Sequence, residues 1–213
     1  MLKGCIQPPR TDDLFGGPLK QRIISLFLTA CLWLSPLIAT GTVVLYMDLR
    51  EMAEVSDVVV HAKVLASEVR TDFDGPITTR TTIEAVHIMK GREAFKDGEL
   101  WFDLLGGAKD GMQIRVPGTP TFRVGEEVIL FLEKNSTDYA VCGLQQGVFR
   151  VRTEGPEKVV SRDLSGAAYA QFGGGGQYSM MHDAPQGVQA YPMANLLKEL
   201  NLYLSEGRTE VMP

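Results

Sequence analysis

Between Val58 and Arg152 the apolar side chains of this chain return mostly at every second position. That is the period of a pleated strand with two unlike faces, not the three-to-four-residue period of a helix. Val58, Val60, Ala62 and Val64 alternate with Val59, His61, Lys63 and Leu65, a strand with one well-buried face. Asp72-Phe73-Asp74-Gly75-Pro76 is a turn by composition, and the Thr-, Ile- and Val-rich stretch from Ile77 to Met89 suits a long second strand. Its apolar phase slips between Ile83 and Val86, as a β-bulge would make it do. A hairpin pivoting at Asp74 sets His61 opposite His87, Val60 opposite Ile88 and Ala62 opposite Val86.

Further strands follow. Leu100, Phe102 and Leu104 alternate in a third strand, and Gly106 to Val116 is a glycine-bearing excursion with a short strand at Met112 to Val116. Pro117 to Pro120 turns the chain. Val128-Ile129-Leu130-Phe131-Leu132 is apolar on both faces and therefore reads as the central, doubly covered strand. Tyr139 to Leu144 and Val148 to Arg152 read as a last hairpin, with Lys158 to Ser161 as an added edge strand. Asp48 caps a short helix ending at Ser56, and Met193 to Leu204 forms an amphipathic helix with Leu196, Leu197, Leu200 and Leu204 on one side. The fold class expected is mainly β: a small OB-like barrel, closed or half-closed, of five or six strands with a helix at each end. A two-sheet sandwich is the nearest competitor.

No charged side chain occurs from Ile23 to Met47, with Lys20 and Arg22 just before the run. A positive flank, an apolar centre and then Ala39-Thr40-Gly41 form the pattern of a cleaved secretory signal. Two alternatives stay open. The run is long enough to span a membrane as an uncleaved anchor, attaching the chain through residues 23–45. Leu28-Thr29-Ala30-Cys31 matches a lipoprotein signal, although Leu32-Trp33-Leu34 after it is apolar rather than polar. Asp12 and Asp13 dilute the charge ahead of Lys20, so a start at Leu19 would give a more compact leader. The expected layout is a signal or anchor at 1–41, the β-barrel domain at 42–164, a flexible Gly-rich loop at 165–190, and a C-terminal helix and tail at 191–213. The loop assignment rests on a texture of Gly, Ala, Gln, Ser and Tyr from Ser165 to Gln189. Location is expected to be periplasmic or extracellular.

The formal net charge is −5, and residues 1–41, with four basic and two acidic side chains, leave about −7 for the remainder. With no Lys/Arg cluster, that balance argues against nucleic acid or an anionic surface as partner. Cys142 is the lone cysteine beyond the leader, so no internal disulfide is available there and packing must carry stability.

Candidate chemistry is sparse. His61 and His87, opposed across the hairpin and near a carboxylate, are a candidate zinc or copper pair, set against two half-exposed strand histidines beside Lys63. Cys142, between Val141 and Gly143, reads as a small core residue rather than a nucleophile. Gly106-Gly107-Ala108-Lys109-Asp110-Gly111 lacks the Gly-Lys-Ser/Thr ending of a phosphate loop. Gly125-Glu126-Glu127 reads as a turn with solvated carboxylates, and His182 as a solvated loop residue. No His-Glu-x-x-His, Gly-x-Ser-x-Gly, Cys-x-x-Cys or calcium-loop pattern occurs. No catalytic residue and no cofactor is expected.

The order of motifs runs from Ser56-Asp57-Val58-Val59-Val60-His61-Ala62-Lys63-Val64, through Val86-His87-Ile88-Met89-Lys90-Gly91, to Phe122-Arg123-Val124-Gly125-Glu126-Glu127-Val128-Ile129-Leu130-Phe131 and Gly143-Leu144-Gln145-Gln146-Gly147-Val148-Phe149. Over residues 48–152 this resembles a group of uncharacterised exported bacterial proteins. It is similar, more distantly, to the netrin-like module of the tissue inhibitors of metalloproteinases, an OB-like barrel. The resemblance implies a barrel and an export route. It does not carry over the inhibitors' zinc-ligating amino-terminal cysteine or their disulfides, for which this chain has no residues. The function expected is a non-enzymatic exported module that binds another protein or an envelope component, with the loops around Asp72-Phe73-Asp74, Gly106 to Gly118 and the glycine-rich segment as its surface. A protease inhibitor acting by another contact mode, and a membrane-anchored envelope protein with an enzymatic or metal site, are the alternatives.

Overall fold

The computed structural model describes residues 42–71, 76–136, 138–165, 167–172, 177–181 and 187–209, the side chains of 207–209 excepted. The leader therefore lies outside the described residues, as do Asp72 to Gly75 of the predicted turn, Gly173 to Gly176 and His182.

Helix α1 (Leu49–Val55) forms where expected. The Asp48 carboxylate accepts from the Glu51 amide and the Glu51 carboxylate from the Asp48 amide, a reciprocal cap. The helix stops at Ser56, and the period changes to two in β2 (Val58–Thr71). Strand β3 (Ile77–Lys90) pairs antiparallel with β2, and His61 does face His87 with Val60 facing Ile88. Ala62 faces Ala85 rather than Val86, because the register shifts between His61 and Ala62 and again between Val64 and Ala66. Val86 and Leu65, skipped at these two shifts, turn out toward solvent, while Met89, skipped at a third shift between Val59 and Val60, packs on the helix-side core. Each bulge adds local twist and bends the ladder.

Beyond β3 comes β4 (Glu99–Leu105), whose Leu100, Phe102 and Leu104 are buried as the alternation requires. The excursion that follows is a small hairpin of β5 (Gly107–Lys109) and β6 (Met112–Ile114). Strand β7 (Glu127–Lys134) is buried at every position from Val128 to Leu132 and pairs with β2 on one side. On the other side it pairs with both β8 (Tyr139–Val141) and β9 (Val148–Glu154). The predicted hairpin of Tyr139 to Leu144 with Val148 to Arg152 is therefore corrected. A 3-10 turn, Leu144–Gly147, separates two strands that both dock on β7.

Strand β10 (Glu157–Asp163) is not an edge, because β13 (Val188–Pro192) adds outside it. The large sheet runs β13-β10-β9-β7-β2-β3-β4, with β8 pairing β7 off that path. The expected mainly-β class is what the chain adopts. Closure is not seen: among the described residues no ladder joins β4 to β8 or to β13.

The segment read as a flexible loop, 165–190, holds strands. Besides most of β13 it contains β11 (Ala168–Phe172) and β12 (Tyr178–Met180), and β11 pairs in parallel with β1 (Val43–Leu45). The last residues assigned to membrane attachment through 23–45 therefore belong to this three-stranded sheet. Helix α2 (Met193–Thr209) closes the described chain, with Leu196 and Leu200 fully buried.

Two cores result, one on each face of the large sheet. Val58, Val60, Ala62, Val64, Ile83, Leu100, Phe102, Leu104, Val128, Leu130 and Leu132 line the concave side. Val59, Ile129, Phe131, Phe149, Val151 and Val160 face Met52 and Ala53 of α1 and Met193, Leu196 and Leu200 of α2. A polar knot ties the small sheet to the large one. Arg162 is 4% exposed and donates to the Gln146 carbonyl (2.9 Å) and the Met47 carbonyl (3.0 Å). The Gln146 amide, itself fully buried, donates to the Leu45 carbonyl (2.8 Å) and accepts from the Met47 N–H (3.0 Å). Tyr46 and Phe149 rings flank the guanidinium at 5.8 and 5.4 Å.

Because these buried carbonyls have no water to turn to, Arg162→Met leaves them unsatisfied at a cost of about 2–3 kcal/mol. Urea unfolding should show a lower midpoint at an unchanged slope, while Arg152→Met, at an exposed site on β9, should leave the midpoint in place.

Candidate functional site

A groove of about 790 Å³ opens beside the concave core, past the end of β4. Its floor is Leu104, Phe122 and Val148 from the first core, with Phe122 stacked edge-on against Phe102 at 5.6 Å. One wall is the excursion predicted as a binding surface, Gly106 to Gly118. Gly106 and Gly107 let that wall fold back. Their φ angles are 106° and 147°, and a Cβ on Gly106 would stand 2.8 Å from the Ile114 carbonyl oxygen. The Thr79 hydroxyl donates to the Gly106 carbonyl (2.7 Å) and fixes the turn to β3.

The opposite wall is Gln145 of the 3-10 turn, Arg150, Asp163 and Ser165. Arg150 is held by Glu126 and donates to the Thr121 carbonyl (2.9 Å). Glu126, half of the predicted solvated pair, is therefore an anchor for a groove residue. Asp163 accepts from the Ser165 amide (2.9 Å) and hydroxyl (2.7 Å). Gln113, Ile114 and Arg115 stand exposed on the rim. The lining thus mixes an apolar floor with Gln, Thr and backbone groups and with charges of both signs. That combination offers many small contacts rather than one reactive group.

The sequence candidates lie elsewhere. His61 and His87 do face each other, on the side of the sheet carrying Val59 and Ile129. His61 is buried and its Nε2 lies 2.6 Å from Glu127 Oε1, which also takes Lys158. Burial lowers the His61 pKa, outweighing the hydrogen bond to Glu127 that would raise it. A neutral imidazole then donates Nε2–H to the carboxylate. Burial alone would raise the Glu127 carboxyl, but its bonds to Lys158 and His61 hold it below the usual range. His87 is exposed. Among the described residues no three His, Cys, Asp or Glu side chains come together as a metal would need.

Cys142 is 1% exposed in the helix-side core, and burial first, then nearby Glu133, pushes its thiol up to about 12. The thiol lies 3.8 Å from the Met47 sulfur. The Lys-Gly pair at 90–91 serves the fold, since Lys90 Nζ donates to the Ala53 (3.0 Å) and Glu54 (3.1 Å) carbonyls that end α1. Arg162 and Gln146, the polar residues that matter most for position, were not singled out from sequence. A buried Arg in an alternating strand looks the same as an exposed one until its partners, more than 100 residues away at Met47, are known.

Fold and groove together define a mainly-β module: one long curled antiparallel sheet, two helices on its convex face and an open, mixed-polarity groove on its concave one. Comparison with family models, with curated proteins and with solved structures finds no match to this chain.

Two outcomes follow from the buried titratable groups. With its folded pKa below the unfolded value near 6.5, His61 binds fewer protons in the native state. Stability then falls as pH drops through and below about 6.5 and rises toward neutral pH. Chemical unfolding of His61→Gln at pH 8 and pH 5.5 should show a smaller acid loss than the wild type. Iodoacetamide at pH 8 should label Cys142 only after denaturant is added, as peptide mass mapping would show. Labelling of Cys142 in the native protein at the rate of a free thiol contradicts its burial.

Proposed function

We propose that this chain is an exported, non-enzymatic binding or scaffold module of the cell envelope or secreted fraction, and that the groove on its concave face holds a segment of a protein or envelope partner. What supports the binding reading is the groove itself: an apolar floor, a polar rim and paired glycines that open its wall, in a sheet whose thiol and buried histidine lie on the other face. An OB-like, half-closed barrel is the finer fold reading. In its favour, β4 and β8 contribute Phe102 and Val141 to one core across the unjoined gap, and such barrels bind along one sheet face and its flanking loops. The resemblance to exported bacterial proteins and, further off, to netrin-like modules belongs to the same reading. So does export, which rests on the apolar leader.

A photo-reactive benzophenone side chain at Gln113 tests the proposal in cells expressing the full chain. It should yield a discrete cross-linked species that is absent when the same group stands at Lys198 on exposed α2. Ile114→Asp should weaken that adduct about tenfold by placing a charge on the rim. Identical adduct patterns from Gln113 and Lys198, or none from Gln113, would rule out the groove as the binding surface.

A further inference from the structure

On the face of the large sheet away from the groove, the helix-side core holds a pair of sulfurs. Cys142 follows β8, Met47 precedes α1, and their sulfur atoms stand 3.8 Å apart. Gly143 leaves the space for this approach, since a Cβ there would stand 2.7 Å from the Met47 methyl carbon. The Ser56 hydroxyl and the Glu133 carboxylate both bear on the thiol, and Arg162 acts on it through its charge. Cys142 and Ser56 are each 1% exposed, whereas Met47 is half-buried.

Two observations set this cluster apart from a plain core contact. The Ser56 hydroxyl is sealed from solvent and has no hydrogen-bond partner, a state that buried polar groups rarely keep unless an ion or a water completes them. It faces the thiol, so an ion held by the sulfur would have this oxygen as a further donor. The sulfur spacing is the second observation. Two sulfurs bound to one ion at about 2.3 Å, in tetrahedral or trigonal geometry, stand about 3.8–4.0 Å apart.

Softness and charge select the ion. Thiolate and thioether together suit Cu(I), while hard cations prefer oxygen. A thiolate with a monovalent ion is a neutral pair, and the charges of Glu133 and Arg162 beside it offset each other. A divalent ion would leave an uncompensated charge in the core. We propose that Cys142 and Met47 bind one Cu(I) ion, with Ser56 Oγ as a weaker third donor. On binding, the S–H bond breaks, a sulfur–copper bond forms and the proton leaves to water, with no change of oxidation state. The half-buried thioether is the point of entry, so the ion meets Met47 first and the thiol second. The site stands or falls independently of the groove and its partner.

The test uses the full chain carrying Cys5→Ser and Cys31→Ser, which leaves Cys142 as its one thiol. In detergent, without oxygen and with ascorbate as reductant, Cu(I) is titrated against the chromogenic chelator bathocuproine disulfonate. The chain should retain one equivalent, and copper X-ray absorption should show two sulfurs at about 2.3 Å. Met47→Leu, which conserves core volume, should bind about tenfold or more weakly, and Cys142→Ala should bind none. Copper should raise the urea midpoint of the parent chain and leave that of Cys142→Ala in place. No copper retained by the parent, or equal affinity in the parent and Met47→Leu, overturns the site. Zn(II) held as tightly as Cu(I) overturns the assignment of a soft monovalent ion. Should Cys142→Ala fail to fold, Met47→Leu still decides, with an unchanged urea slope showing that its fold is native.

Discussion

Five consecutive residues, Val128 to Leu132, are buried on both sides of one strand, and that requirement shapes the rest of the fold. A strand apolar on both faces has to be covered twice. Ile129 and Phe131 are covered by α1 and α2, whose buried Met52, Ala53, Leu196 and Leu200 supply that core. Val128, Leu130 and Leu132 have no helix. They are covered by the sheet's own curl, which brings Leu100, Phe102 and Leu104 of β4 around to meet them. The bulges in the β2–β3 ladder supply the bend. Beyond the end of β4, the segment from Gly106 to Phe122 and the side chains of Gln145, Val148 and Arg150 enclose the groove.

How much of this was legible in the sequence follows from how local each determinant is. The opposition of His61 and His87 could be read because a single turn composition and a single period fix it. The bulge between Ile83 and Val86 was visible as a slip of phase, yet its partner at Leu65 was not, since β2 keeps its alternation across it. The double burial of β7 was legible because only a central strand tolerates five apolar residues in a row. By contrast, β8 and β9 look like hairpin partners of each other, and only the Leu144–Gly147 turn, with Gly143 and Leu144 both at positive φ, sends both to β7.

The glycine-rich stretch shows the opposite failure. Its composition offers too little apolar material to nucleate a core alone, so by local criteria it is a loop. Its partner strand is β1, about 125 residues earlier, and Tyr169 becomes fully buried only because Val44 and Tyr46 arrive from there. The same nonlocality hid the role of Val43 to Leu45. In sequence they look like the tail of a membrane run, and in the fold they are a strand.

The groove and the small sheet rest on consecutive residues of one turn. Gln145 lines the groove, and its amide donates to the Gly118 carbonyl (3.1 Å) in the opposite wall. Gln146 turns the other way and holds Leu45 and Met47 on either side of the small sheet's first core residue, Tyr46. Gly147 cannot give way between them: a Cβ there would stand 2.5 Å from the Cys142 carbonyl oxygen and 3.1 Å from that of Phe131. Arg162 then bonds the carbonyl of Gln146 itself. A charge sealed among carbonyls and rings is costly to place, with its pKa lowered first of all by burial. Here it makes one rigid block of the turn, β1 and β10. Such a block ties the groove wall to the small sheet through a single buried side chain.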